Sequence, residues 1–109
     1  MAALKAQLKP IIEKIEKIEP PENILFAYEP IYAIGSGTIP SSEYLEEIFS
    51  FIYKEVSSLK NSRILYGGSV DSKNMELLNK ICKIDGYLIG KASLDFKELQ
   101  KMITFKSPL

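Results

Sequence analysis

The chain has 109 residues, 46% hydrophobic and 26% charged, the balance of an ordinary globular protein with room for one domain and a modest core. Lysine plus arginine and aspartate plus glutamate number 14 each, so the formal net charge is zero, which argues against a nucleic-acid-binding surface. With no histidine and a single cysteine, a zinc-type cluster is excluded, and any chemistry must use carboxylates, hydroxyls, lysines or backbone groups.

The first segment has a helical pattern. Leu4, Leu8, Ile11, Ile12, Ile15 and Ile18 recur at spacings of three and four along one face. Pro10 predicts a kink there, or a helix that starts there. Lys5 interrupts the opening residues, which lack the apolar run of a signal peptide. Glu19-Pro20-Pro21-Glu22-Asn23 reads as a loop.

Ile24-Leu25-Phe26-Ala27-Tyr28 is a continuous apolar run without alternation, which predicts a strand covered on both faces. Glu29 follows, and Pro30 keeps it extended, so it should project at the rim. There apolar walls would favour its neutral form and suit it to act as a general base. A solvated loop carboxylate or an ion-pair partner is the alternative. Gly35-Ser36-Gly37 offers backbone N–H groups that can bind an anion, or simply a flexible turn. Ser41 or Ser42 should cap the next helix, whose inner face carries Leu45, Ile48, Ile52, Val56 and Leu59 and which Asn61 and Ser62 should end.

The pattern repeats. Arg63-Ile64-Leu65-Tyr66 reads as a strand leading into Gly67-Gly68-Ser69, and a helix over Lys73 to Lys80 should turn Met75, Leu78 and Ile81 inward. Tyr66 either packs at the rim or holds a loop through its hydroxyl. Cys82, a lone thiol without an activating neighbour, reads as inert and fits a reducing compartment. Asp85-Gly86 turns into a third strand, Tyr87-Leu88-Ile89, ending at Gly90. The double glycine with Ser69, and Gly90-Lys91-Ala92-Ser93 one unit later, each offer donors for a phosphate or a tight strand-to-helix connection. Asp95 can cap a last helix carrying Phe96, Leu99 and Ile103, before a short tail over 104–109.

The order is a helix and loop (1–22), then strand–helix units over 23–60, 61–84 and 85–105, which predicts an α/β fold with a parallel sheet and helical cover. Ligands in such folds bind beyond the carboxyl ends of the strands, where Glu29, Gly67-Gly68-Ser69 and Gly90 all fall. No apolar stretch approaches the ~18 residues of a membrane span.

Taken together and in this order, Ala27-Tyr28-Glu29-Pro30, Ala33-Ile34-Gly35-Ser36-Gly37, Tyr66-Gly67-Gly68-Ser69-Val70 and Asp85-Gly86-Tyr87-Leu88-Ile89-Gly90 resemble the triosephosphate isomerase family, over roughly Asn23 to Ile103. The resemblance implies a partial (β/α)8 barrel, with 1–109 as one partial-barrel domain. It implies the family's reaction, the interconversion of dihydroxyacetone phosphate and glyceraldehyde 3-phosphate by a glutamate base under a water-excluding lid. Glu29 looks like that base. Gly35, Ser69, Gly90 and Lys91 match positions whose N–H groups grip the substrate phosphate. Pro30, Ile31 and Tyr32 look like one lid hinge and Thr38 to Pro40 the other, with Ala33, Ile34, Ser36 and Gly37 between them. Tyr66 and Ser69 look like the latch.

Three positions depart from the family's pattern. Tyr32 stands for a usual tryptophan, and Lys91 for a usual second glycine. Pro40 stands where a lid N–H usually meets the tyrosine hydroxyl, so that latch should be weaker or made elsewhere. The family barrel has eight units in about 250 residues, and this chain matches the last three and the helix before them. The family's electrophilic histidine and substrate-binding lysine belong to the front portion. The expectation is therefore an isomerase fragment, inactive as 109 residues alone, whose partners are a triose phosphate, the missing front half of the barrel and, in the complete enzyme, a second copy. No cofactor, metal, nucleic acid or membrane is expected, and the expected location is the cytoplasm. The alternative is a non-catalytic phosphate-binding or assembly module that completes a barrel with another chain.

Overall fold

The structure is a computed structural model and describes residues 2–17, 24–59 and 62–104. Helix α1 (Ala2–Lys17) runs through Pro10. The expected loop over 19–23, together with Ile18, Asn61 and the tail over 105–109, lies outside the described residues. Strand β1 (Ile24–Tyr28) leads through a 3-10 turn (Ile31–Ala33) to α2 (Ser42–Glu55). Strand β2 (Ser62–Gly67) precedes α3 (Ser72–Leu78), and β3 (Gly86–Leu88) passes through a second 3-10 turn (Lys91–Leu94) to α4 (Phe96–Ile103). This is an α/β arrangement, a helix and three strand–helix units around a parallel sheet.

The three strands form one parallel sheet in the order β1-β2-β3. Its register aligns Tyr28 with Tyr66 and Tyr66 with Tyr87. These tyrosines belong to the side of the sheet that the helices cover. Phe49 of α2 meets Tyr28 edge-on at 5.9 Å between ring centroids, and Tyr66 at 6.3 Å. Leu45, Phe49, Tyr66 and Leu78 are fully buried, and Ile48, Ile52, Ile64 and Met75 nearly so. Burial of each such side chain stabilises the fold by roughly 1.5–3 kcal/mol. Leu8 and Ile12 join the core from α1, while Ile11 stays exposed.

Polar groups fix the connections. Ser41 caps α2, its hydroxyl accepting the Tyr44 N–H at 3.3 Å. Asp71 and Asn74 form a reciprocal capping box at the start of α3, each side chain accepting the other's backbone N–H. The Asp85 carboxylate accepts the Ile64 N–H at 2.8 Å, while the Asp85 N–H donates to the Ile64 carbonyl. The turn before β3 is thereby tied to the middle of β2.

Several sequence expectations give way here. Strand β1 is covered on one face, not two: Ile24 is buried, whereas Leu25 is 61% exposed and Ala27 is open. Arg63 and Leu88 are exposed as well, so the opposite side of the sheet has no cover among the described residues. A continuous apolar run is what a strand needs when both faces are buried, and here the second covering layer is absent from those residues. Helix α2 ends at Glu55, with Val56 as its C-cap, before the expected Asn61–Ser62 stop; Ser62 opens β2. In α4 the buried residue is Met102, whereas Phe96 and Ile103 are 75% and 72% exposed.

Candidate functional site

Three strand ends meet on one rim, and the local sequence explains each. After β1, Pro30 is buried and extended (φ −66°, ψ 123°), which directs Glu29 off the end of the strand rather than into a helix. Ala33, fully buried, closes the 3-10 turn through its N–H to the Pro30 carbonyl at 2.9 Å. Gly35 and Gly37 then both take left-handed angles (φ 69° and 79°), which the loop between them requires. Ser36 stiffens its tip: its Oγ accepts the Thr38 N–H at 3.2 Å and lies 3.0 Å from Thr38 Oγ1.

After β2, Gly68 has a φ of 127°, and a methyl group there would stand 3.0 Å from Ala33 Cβ. Ser69 follows at φ 56°, a conformation uncommon outside glycine that persists only where neighbours hold it. Three contacts do so. Its hydroxyl donates to the Ala33 carbonyl at 2.5 Å and accepts the Gly37 N–H at 3.0 Å, and its carbonyl accepts from Asn74 Nδ2 at 2.6 Å. Ser69 therefore joins the start and the tip of the Ala33–Gly37 loop to the start of α3.

Tyr66 lies beneath this junction, fully buried, and its hydroxyl donates to the Gly68 carbonyl at 2.9 Å. That bond lies within the glycine turn. Burial, with a smaller contribution from Tyr32, pushes this hydroxyl up to about 12, so it stays a donor across the neutral range. Burial raises Tyr28 further, reinforced by the Tyr44 hydroxyl 3.4 Å away. After β3, Gly90 leads into the 3-10 turn that carries Lys91.

Around these ends opens a cavity of about 580 Å³. Glu29, Gly35, Ser69, Gly90 and Lys91 line it together, with Ile34, Ser36 and Gly37. The remaining candidates stand outside its wall: Pro30 and Ala33 are buried, Ile31, Tyr32 and Thr38 are exposed, and Tyr66 is fully buried. Asp71 and Leu88 also line it and were not singled out from the sequence. Asp71 could have been found from its spacing of three to Asn74 just before an apolar helix. Glu29 is exposed, so the apolar walls expected around it are not in place among the described residues; the open face of the sheet explains this. No group of three or more potential metal ligands occurs among the described residues, and none of their helices is long and apolar enough to cross a membrane.

The cavity is thus lined by the exposed Glu29 carboxylate and by Asp71, a glycine loop pinned at two points, the serines Ser36 and Ser69, and one lysine, Lys91. Such a set can move a proton beside an anionic group held by backbone donors. The family model described as triosephosphate isomerase matches residues 1–106 of the chain. The triosephosphate isomerase of Mycoplasmopsis pulmonis (strain UAB CTIP) is 40% identical over 106 residues, covering 97% of this chain and 40% of the relative. That of Entamoeba histolytica is 39% identical over 104 residues (90% and 40%), and that of Neisseria meningitidis serogroup A 40% identical over 87 residues (76% and 35%). The chain spans about a third to two fifths of the length of the curated relatives it matches.

Proposed function

The chain belongs to the triosephosphate isomerase family, and from that premise we propose that it supplies the base, lid and phosphate-binding loops for interconverting dihydroxyacetone phosphate and glyceraldehyde 3-phosphate. The observation that carries this reading is the convergence of Glu29, the Ile34–Gly37 loop, Ser69, Gly90 and Lys91 on one cavity.

In this reading the Glu29 carboxylate takes a proton from the carbon beside the substrate carbonyl and returns it to the neighbouring carbon. The N–H groups of Gly35, Ser69, Gly90 and Lys91 grip the phosphate, and the Lys91 ammonium stands beside it. Pro30–Tyr32 and Thr38–Pro40 act as hinges of the lid, with Ser69 as its latch and Tyr66 supporting the latch. The chain has no histidine to polarise the carbonyl. That group, and a second covering layer for the exposed Leu25, Ala27, Arg63 and Leu88, would come from the front units of a barrel. The 109 residues alone are accordingly expected to be inactive. The complete assembly would be a cytoplasmic homodimer working in glycolysis and gluconeogenesis, without a cofactor. The test is isomerase turnover on mixing or co-expressing the chain with the front portion of a relative, with Glu29→Gln as the control.

A second reading has its own support. The lack of histidine and the exposure of Glu29 suit a non-catalytic phosphate-binding or assembly module. Phosphate binding and folding on complementation, without turnover, would favour it.

A further inference from the structure

The two glycines that follow Tyr66 are glycine for different reasons. Gly68 needs its left-handed angle, but Gly67 does not: its φ lies outside that region, so its backbone would accept any residue. What stands over Gly67 is Glu29. A methyl group at Gly67 would lie 2.7 Å from Glu29 Cγ and 3.2 Å from both Glu29 Cδ and Leu88 Cβ. The register produces this crowding. Tyr28 pairs with Tyr66 and Gly67 pairs with Leu88, so Glu29 and Leu88 flank Gly67 from the two neighbouring strands.

We propose that Gly67 is a positioning residue: its missing side chain provides the bed on which the Glu29 side chain lies, and so sets where the carboxylate stands in the cavity. The inference rests on the reading of Glu29 as the base. Ordinary contact begins at 3.4 Å, so a methyl group at Gly67 would displace the Glu29 methylene by about 0.7 Å. A misplacement of about 1 Å in a reacting group can cost on the order of 10²-fold in rate. Of the phosphate donors, Gly35, Gly90 and Lys91 lie on other loops, and Ser69, two residues on in the same turn, is held by Ala33, Gly37 and Asn74, so the phosphate grip should be little changed.

The experiment compares wild type with Gly67→Ala, using carboxyl-13C-glutamate in the full chain and, in the complemented enzyme, kcat and KM. The Glu29 resonance is identified by its loss in Glu29→Gln. The expected result is that Gly67→Ala shifts the Glu29 resonance but not those of the other glutamates. In the complemented enzyme kcat should fall about 10- to 100-fold, with KM within about twofold. An unmoved Glu29 resonance, or a moved one with unchanged kcat, would overturn the proposal. Should Gly67→Ala fail to fold, the pair Glu29→Ala/Gly67→Ala decides: recovery of folding assigns the clash to Glu29, and continued failure assigns the glycine to the strand and overturns the proposal. A complemented wild type without turnover would count against Glu29 as base, while the resonance would still decide whether Gly67 positions it.

Discussion

The Gly37 N–H donates to the Ser69 hydroxyl at 3.0 Å across 32 residues of sequence, and the same hydroxyl donates back to Ala33 at the other end of the loop. One side chain thus pins both ends of a segment whose residues are mostly exposed. Ser69→Ala should remove both contacts while leaving the strained backbone angle in place. The expected cost is roughly 0.5–1.5 kcal/mol per hydrogen bond. The local readout is amide hydrogen exchange at Gly37, which should speed up by at least about tenfold while amides of β2 stay protected. Unchanged exchange at Gly37 would mean that the serine does not hold the loop.

Gly68→Ala tests the turn beneath the loop. Its φ of 127° and the 3.0 Å approach to Ala33 both oppose a side chain. The substitution should destabilise the chain by more than about 1 kcal/mol, the usual scale for alanine forced to a positive φ. Chemical denaturation with wild type alongside gives the number.

Asp71 anchors the start of α3, a helix of only 7 residues, through the capping box with Asn74. Asp71→Ala should cost about 1 kcal/mol, within the usual range for an N-cap of this type. Asp71 also lines the cavity, so Asp71→Ser, which keeps a capping oxygen but drops the charge, should recover most of the stability. Thermal unfolding of the two variants distinguishes capping from charge.

The pH dependence follows from the shifted groups. Burial holds the Tyr66 and Tyr87 hydroxyls at about 12, above the ordinary value of 10. The folded chain therefore keeps protons that the unfolded chain loses, and their contribution is fully present below pH 10 and lost as the pH rises toward 12. Glu98 lies the other way. Hydrogen bonding from Ser72, first its side chain and then its N–H at 2.6 Å, lowers the Glu98 carboxyl from its ordinary value. Its contribution is present at neutral pH and lost as the pH falls through its lowered value. Unfolding midpoints across pH should decline at both ends. Tyr87→Phe should soften the alkaline decline and Glu98→Gln the acid one; unchanged profiles in both would contradict these assignments.

Much of the fold was legible because its signals are local. The apolar spacing of Leu45, Ile48 and Ile52 marks a helix face, and Ser41 and Asp95 sit where caps belong. The candidate site was legible as a place because its unusual residues fall at strand ends and line one cavity. What sequence could not supply depends on contacts between segments. The one-sided cover of β1 depends on what stands on the other face, and Ile24–Tyr28 reads the same either way. The exposed Phe96 and Ile103 share the apolar spacing of a buried face. The role of Gly67 is visible only once β1 and β2 are in register, because its neighbour is Glu29, 38 residues earlier in the chain.

The most direct test of the account is isomerase turnover of this chain with and without the front strand–helix units of a relative. The account predicts no turnover from the 109 residues alone and measurable turnover on complementation. Glu29→Gln should then lower kcat at least about 10²-fold, the lower end of what a general base contributes, without preventing assembly. Complementation that restores a folded, phosphate-binding barrel but no turnover, or turnover indifferent to Glu29→Gln, would contradict it.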